Sequence, residues 1–141
     1  MIKIKNRLAS EQGFTLIELL VVIIILGILV AIAVPSYLSF RGKAANAAAQ
    51  ANTRSAIPAA ESYYNDPAAG NNSYTGITGA LIRAQAPGVD PAVKAGQNAA
   101  GDGYCVQDTA SGATYHYSGG TGGTATITTG VCAAATYASV T

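Results

Sequence analysis

Glu18 is the one acid inside a long apolar run, and it stands four residues after Phe14. From Leu19 to Val34 no residue carries a charge. A carboxylate at mid-bilayer costs roughly 2.5–3.5 kcal/mol on insertion scales, and less near a helix end. An acid in that setting is functional by default, and its chemistry is ion pairing. If the chain were cut after Gly13, Phe14 would begin the helix with a free, protonated amine. Glu18 would then lie near the helix N-terminus, where the macrodipole favours an anion.

The other reactive side chains are few. Cys105 and Cys132 are the only cysteines. Two thiols are too few for a zinc site and no Cys-x-x-Cys spacing exists, so beyond a translocated helix they predict a disulfide. His116 is the only histidine. It sits among tyrosines on an expected strand, and a structural or surface role is expected, because no Ser–His–Asp or Cys–His set accompanies it. Gly119–Gly123 is like a phosphate loop only superficially, since no Lys follows and no helix opens after it. It reads as a flexible hairpin connection. Asn71-Asn72-Ser73 is a glycosylation sequon, a pattern frequent by chance. These residues predict no enzyme, no cofactor and no metal site.

Charge sets the next bound. Eight Lys and Arg oppose seven Asp and Glu over 141 residues. Lys3, Lys5 and Arg7 against Glu11 give the first thirteen residues a net +2, which leaves the remainder at −1. A broad basic surface for nucleic acid is excluded.

The elements that must hold these residues follow in order. Residues 1–13 are a basic leader that should stay cytoplasmic while the C-terminus is exported. Residues 14–35 are a membrane helix. Phe14 to Val34 is twenty-one residues, about 31 Å of helix against a hydrocarbon core of about 30 Å. A secretory signal peptide is the rival, because Ala31-Ile32-Ala33 resembles an A-x-A cleavage site. Its apolar region is usually only about 7–15 residues and carries no acid. Gly27 and Pro35 are weak points of this helix.

Residues 36–65 continue as its amphipathic half. Tyr37, Phe40 or Leu38, Ala44, Ala48, Ala51, Ser55 and Ile57 recur at helical spacing and predict the covered stripe. Pro58 either kinks the helix or begins a new turn; a kinked, continuous helix to about Tyr64 is preferred. Residues 66–103 read as loop with one short helix, about Gly79–Gln85. Thr78 would cap it and Ile77 would staple to Ile82.

Residues 104–141 alternate. Tyr104–Gln107, Ala113–Tyr117 and Thr124–Thr129 predict a three-stranded antiparallel meander, with residues 108–112 as turn. Tyr104, Val106, Tyr115, Tyr117 and Ile127 are the bulky candidates for its helix-facing side. A Cys105–Cys132 bridge closing about 28 residues would add roughly 3.5 kcal/mol in the chain-entropy treatment.

A basic leader, then Gly13-Phe14-Thr15-Leu16-Ile17-Glu18, then an apolar helix resembles a type IV prepilin or a type II secretion pseudopilin. The resemblance covers about the first fifty residues, and the junction is its specific part. It implies an α+β, ladle-like fold, with a long helix packed on a small antiparallel sheet. It implies cleavage by prepilin peptidase between Gly13 and Phe14, followed by N-methylation of Phe14. It implies that Glu18 pairs with the amine of a neighbouring subunit, and that the Gly27–Pro35 segment can lose helical bonding as a fibre stretches. The implied partners are further copies of the chain in a helical homopolymer, the peptidase, the inner-membrane pilus assembly machinery, and membrane lipid before assembly. A surface or DNA ligand is left open. The implied location is the bacterial inner membrane as single-pass precursor, then an extracellular filament. The alternative is a major pseudopilin of a type II secretion system; a membrane-anchored binding protein or enzyme is the weaker rival. Such pseudopilins hold calcium with acids in a C-terminal loop. No acid follows Asp108, and Asp102 with Asp108 makes a poor oxygen cage.

Overall fold

A computed structural model describes residues 13–138 and 140–141. Most of the expected leader, residues 1–12, therefore lies outside the described residues. The chain divides into two units, Met1–Phe40 and Arg41–Thr141. One helix, α1 (Leu16–Asn65), contributes to both.

In the first unit α1 is apolar and exposed on all sides in the single chain. It is the one described helix long and apolar enough to cross a membrane. An all-round apolar surface has no buried face to specify, which is what a lipid-facing helix requires.

In the second unit the expected covered stripe is corrected. Ala44, Ala48, Ala51 and Ser55 are exposed and Ile57 is only half-buried. The buried face is Ala49, Thr53, Ala56, Ala60 and Tyr63, with Ala59 beside it. Alanine occupies so many positions here that helical periodicity carries little contrast, so the face is chosen by what packs on it. Small residues let the helix approach Tyr74, Tyr104 and Val106, which share its core cluster. Pro58 lies within the helix, which continues to Asn65.

Helix α2 (Gly79–Gln85) forms as expected. Thr78 is extended and its Oγ1 accepts from the Leu81 amide at 3.3 Å. Ile77 and Ile82, before and within the helix, are both buried in the same core. That is the N-cap and staple pattern.

The sheet is antiparallel throughout, but it has five strands where three are expected: β1 (Lys94–Asn98), β2 (Gly103–Ala110), β3 (Ala113–Gly120), β4 (Ile127–Thr129) and β5 (Tyr137–Ala138), in the order β4-β3-β2-β1-β5. The expected meander is β2-β3-β4. β1 escapes sequence reading because its five residues include no β-branched or aromatic side chain. It is a strand by tertiary context: Ala95 pairs with Val106 and is fully buried. β5 covers the Gln97–Asn98 end of β1. Thr141 completes that edge: its amide donates to the Ala95 carbonyl (3.0 Å), and its carbonyl accepts from the amides of Ala95 (3.1 Å) and Gly79 (2.9 Å).

Register places the five bulky candidates on one face. Ala95, Val106, Tyr117 and Ile127 form a single cross-strand row, and Tyr104 and Tyr115 flank it. Tyr104 and Val106 are fully buried; Tyr115, Tyr117 and Ile127 are half-buried. The β2–β3 turn is shorter than expected. Only Ser111 and Gly112 lie outside the strands, at φ of 49° and 83°. This two-residue positive-φ turn matches the strand twist. Asp108 is thus not a turn residue but a buried strand residue.

The glycine-rich connection is corrected too. A Cβ at Gly119 would meet the Tyr104 ring at 2.6 Å, and one at Gly123 the Ser118 carbonyl at 2.6 Å. Glycine is needed for close packing there rather than for flexibility.

Candidate processing and assembly site

The junction is built by a helix start. Gly13, Phe14 and Thr15 precede the helix, and Leu16 is its first residue. Thr15 is the cap: its Oγ1 accepts from the Glu18 amide (3.3 Å), and its carbonyl from the amides of Glu18 (3.1 Å) and Leu19 (3.3 Å). Thr15-Leu-Ile-Glu18 has the spacing of a capping box. Sequence reasoning passed over Thr15, although this spacing was the signal. Glu18 sits in the first turn, where an anion is favoured by the amide dipoles.

Gly13 is not required by the chain itself. A Cβ there would meet nothing within 4 Å. Phe14 is 77% exposed. The two flanks of the expected scissile bond are therefore open to an external reader.

Further along, a Cβ at Gly27 would also meet nothing within 4 Å. Pro35 lies inside the helix and offers no N–H to the Ala31 carbonyl. The Ser36 hydroxyl donates to the Ile32 carbonyl at 3.1 Å, a back-bond that often bends helices.

In the second unit Cys105 and Cys132 are joined, with Cα atoms 6.0 Å apart. Both are buried, with Tyr137 and Val140 against them, on the sheet face opposite Tyr104. The Cys132 amide donates to Gln107 Oε1 at 2.7 Å. His116 is held by the sheet edge: its Nδ1 bonds the Gly130 carbonyl (2.9 Å) and its Nε2 the Thr128 hydroxyl (3.2 Å). Asn71 and Asn72 both have positive φ, at 49° and 63°, in a loop whose amides bond back to Asp66 and Tyr64. Among the described residues no group of three or more His, Cys, Asp or Glu could hold a metal.

The polar side chain that sequence reasoning missed is Glu61. Its Oε1 accepts from the Tyr104 phenol and its Oε2 from the Tyr74 phenol, each at 2.9 Å. These phenols belong to a tyrosine array. Ring centroids are 4.8 Å apart for Tyr64–Tyr74, 4.6 Å for Tyr74–Tyr104 and 6.1 Å for Tyr104–Tyr117. Burial, then the adjoining Glu61, pushes both phenol pKa values up. Two surface carboxyls go the other way. The Gln85 amide holds Asp66 below the usual range, and the Asn98 amide does so for Asp102. Asp108, buried, is satisfied by Asn52 Nδ2 (2.9 Å) and the Thr109 amide (2.7 Å).

Comparison with known proteins fits this junction. The family described as "Prokaryotic N-terminal methylation motif" matches residues 8–34. The chain is 42% identical over 73 residues to the "Type IV wide pilus major component PilA4" of Thermus thermophilus. It is 38% identical over 56 residues to the "Type IV major pilin protein PilA" of Myxococcus xanthus. The matches cover 52% and 40% of this chain, and 53% and 26% of those relatives. No solved structure matches the chain. Residues 8–34 thus carry the methylation motif and the capped start of an apolar helix, and the chain, which spans about half the length or less of these curated relatives, is similar to type IV pilins over that part.

Proposed function

We propose that this protein is a structural subunit of a bacterial type IV pilus. It is made as a membrane precursor, cut between Gly13 and Phe14, methylated on Phe14, and polymerised through its apolar helix. The observation that carries this is the junction: an open Gly13–Phe14 bond, a Thr15 cap, and Glu18 in the first turn of a helix whose apolar stretch, as far as Phe40, is exposed on every side.

Glu18 gives the assembly step its chemistry. In a filament core of low dielectric, a Glu18 carboxylate and the Phe14 amine of a neighbour attract over distance. Pairing cancels two charges that would each be unfavourable alone and selects an axial register. Pairing with the amine of the same chain is the competing arrangement. Gly27 and Pro35 are the places where the filament helix gives way under tension. The precursor crosses the inner membrane once, leader inside, and is handled by prepilin peptidase and the pilus assembly machinery.

A type II secretion pseudopilin is the second reading. The disulfide and the lack of any acid after Asp108 favour the pilus. Mass spectrometry with N-terminal sequencing of sheared surface filaments tests the proposal. The expected chain begins at N-methyl-Phe14. A mature chain beginning at Val34 would refute it.

A further inference from the structure

The apolar run of the first unit has aromatic residues at its two ends and none between. Phe14 opens it, and the next aromatics are Tyr37 and Phe40. The first charge after Glu18 is Arg41. Tyr37 and Phe40 are 65% and 72% exposed in the single chain, and a three-residue spacing sets them side by side on the helix. A Tyr at the end of an apolar span is the pattern of a membrane–water interface, where the ring buries its body and keeps its hydroxyl wet; the Phe40 ring beside it adds apolar body.

We propose that Tyr37 and Phe40 are the outer end of a membrane ruler: their rings sit at the headgroup layer of a phospholipid bilayer and thereby hold the Gly13–Phe14 bond at the opposite interface. This rests on the reading of the precursor as a membrane-spanning chain. From Tyr37 to Phe14 is twenty-three residues, about 34 Å of helix. From Phe40 it is twenty-six, about 39 Å. The hydrocarbon core is about 30 Å thick and the whole bilayer about 40–45 Å. With the rings just outside the core on one side, Phe14 falls just outside it on the other. Glu18, nineteen residues below Tyr37, lies about 28 Å down, at the inner edge of the core and not at its centre. There its carboxylate keeps contact with headgroup water, so the precursor tolerates an acid that mid-bilayer would penalise. Tyr37 and Phe40 are then positioning residues for cleavage, acting through depth and not through contact with the peptidase.

The test uses the full uncut chain in phosphatidylcholine–phosphatidylglycerol vesicles. The protein has no tryptophan, so single reporters are unambiguous. Tyr37→Trp is expected to be quenched most by lipids brominated near the headgroup, and Ile25→Trp by lipids brominated near the chain methyls. In the Ile25→Trp background, Tyr37→Ala with Phe40→Ala should move the reporter away from the bilayer centre. The same pair should slow cleavage after Gly13 by co-reconstituted prepilin peptidase several-fold, and Tyr37→Trp with Phe40→Trp should restore it. Unchanged reporter depth and unchanged cleavage in the double alanine variant would overturn the ruler. So would a Tyr37→Trp signal that no lipid quenches while Ile25→Trp is quenched, which would place the ring against another copy of the chain. An Ile25→Trp reporter that no lipid quenches would remove the membrane reading itself, and the ruler with it.

Discussion

Replacing Glu61 by alanine should destabilise the second unit by about 3 kcal/mol. The carboxylate accepts from two phenols at 2.9 Å, one 4% exposed and the other fully buried. Hydrogen bonds to a charged group contribute about 1.5–3 kcal/mol each, so two set a ceiling near 6 kcal/mol. Glu61 itself is half-buried, and water entering its place would satisfy part of the loss. Glu61→Gln keeps one carbonyl oxygen and should lose about half as much. The assay is urea unfolding of the full chain in detergent, followed by near-ultraviolet circular dichroism of the tyrosines. A double-mutant cycle isolates the contact: Tyr104→Phe should cost clearly less in the Glu61→Ala background than alone. Alkaline titration adds an independent reading. Both phenols have raised pKa values in the folded chain, so their contribution is fully present below the unfolded value of about 10. It is lost as pH rises from there through the folded values, at up to about 1.4 kcal/mol per pH unit for each phenol. A Glu61→Ala midpoint equal to wild type, with additive losses in the cycle, would refute this account of the site.

Three further outcomes are expected. Cys105→Ser should lower stability by about 2–4 kcal/mol, and alkylation of exported protein under denaturing, non-reducing conditions should find neither thiol free. Glu18→Ala should leave insertion and folding intact yet strongly reduce filament yield; it should still enter filaments as a minor component beside wild type. Normal yield from Glu18→Ala alone, by electron microscopy of sheared filaments, would exclude it as an assembly residue. Gly119→Ala should cost about 1–3 kcal/mol by urea unfolding, because its Cβ would press on the Tyr104 ring at 2.6 Å.

What the sequence made legible was set by local chemistry. The Gly13–Glu18 junction is a contiguous string, and Thr78 with Ile77 and Ile82 is a local capping pattern, so both could be read directly. The inward face of β2–β4 followed from alternation, since Tyr104, Val106 and Tyr117 alternate with the smaller or more polar Cys105, Gln107, His116 and Ser118. The remainder depends on partners far along the chain. β1 is a strand because β2 lies beside it, and its own residues do not ask for one. The covered face of α1 is decided by the aromatics that pack on it, because alanine looks alike on every side. Glu61 lies 43 residues from Tyr104, and nothing in its neighbourhood announces that contact. Asp108 looked like turn chemistry because Ser111 and Gly112, the true turn, were grouped with it.

The closing of the β1 edge by Thr141 bears on the order in which this unit can fold. A chain that emerges from its N-terminal side presents α1 and β1 before residues 137–141. Until residues 137–141 arrive, the outward Ala95 backbone groups and the Gly79 amide lack these partners, and β1 is an open edge of the kind that recruits foreign strands. Cys105 likewise waits for Cys132. Completion of the sheet thus acts as a timer: β1 gains its second neighbour and Cys105 its bond only when segments far along the chain have arrived.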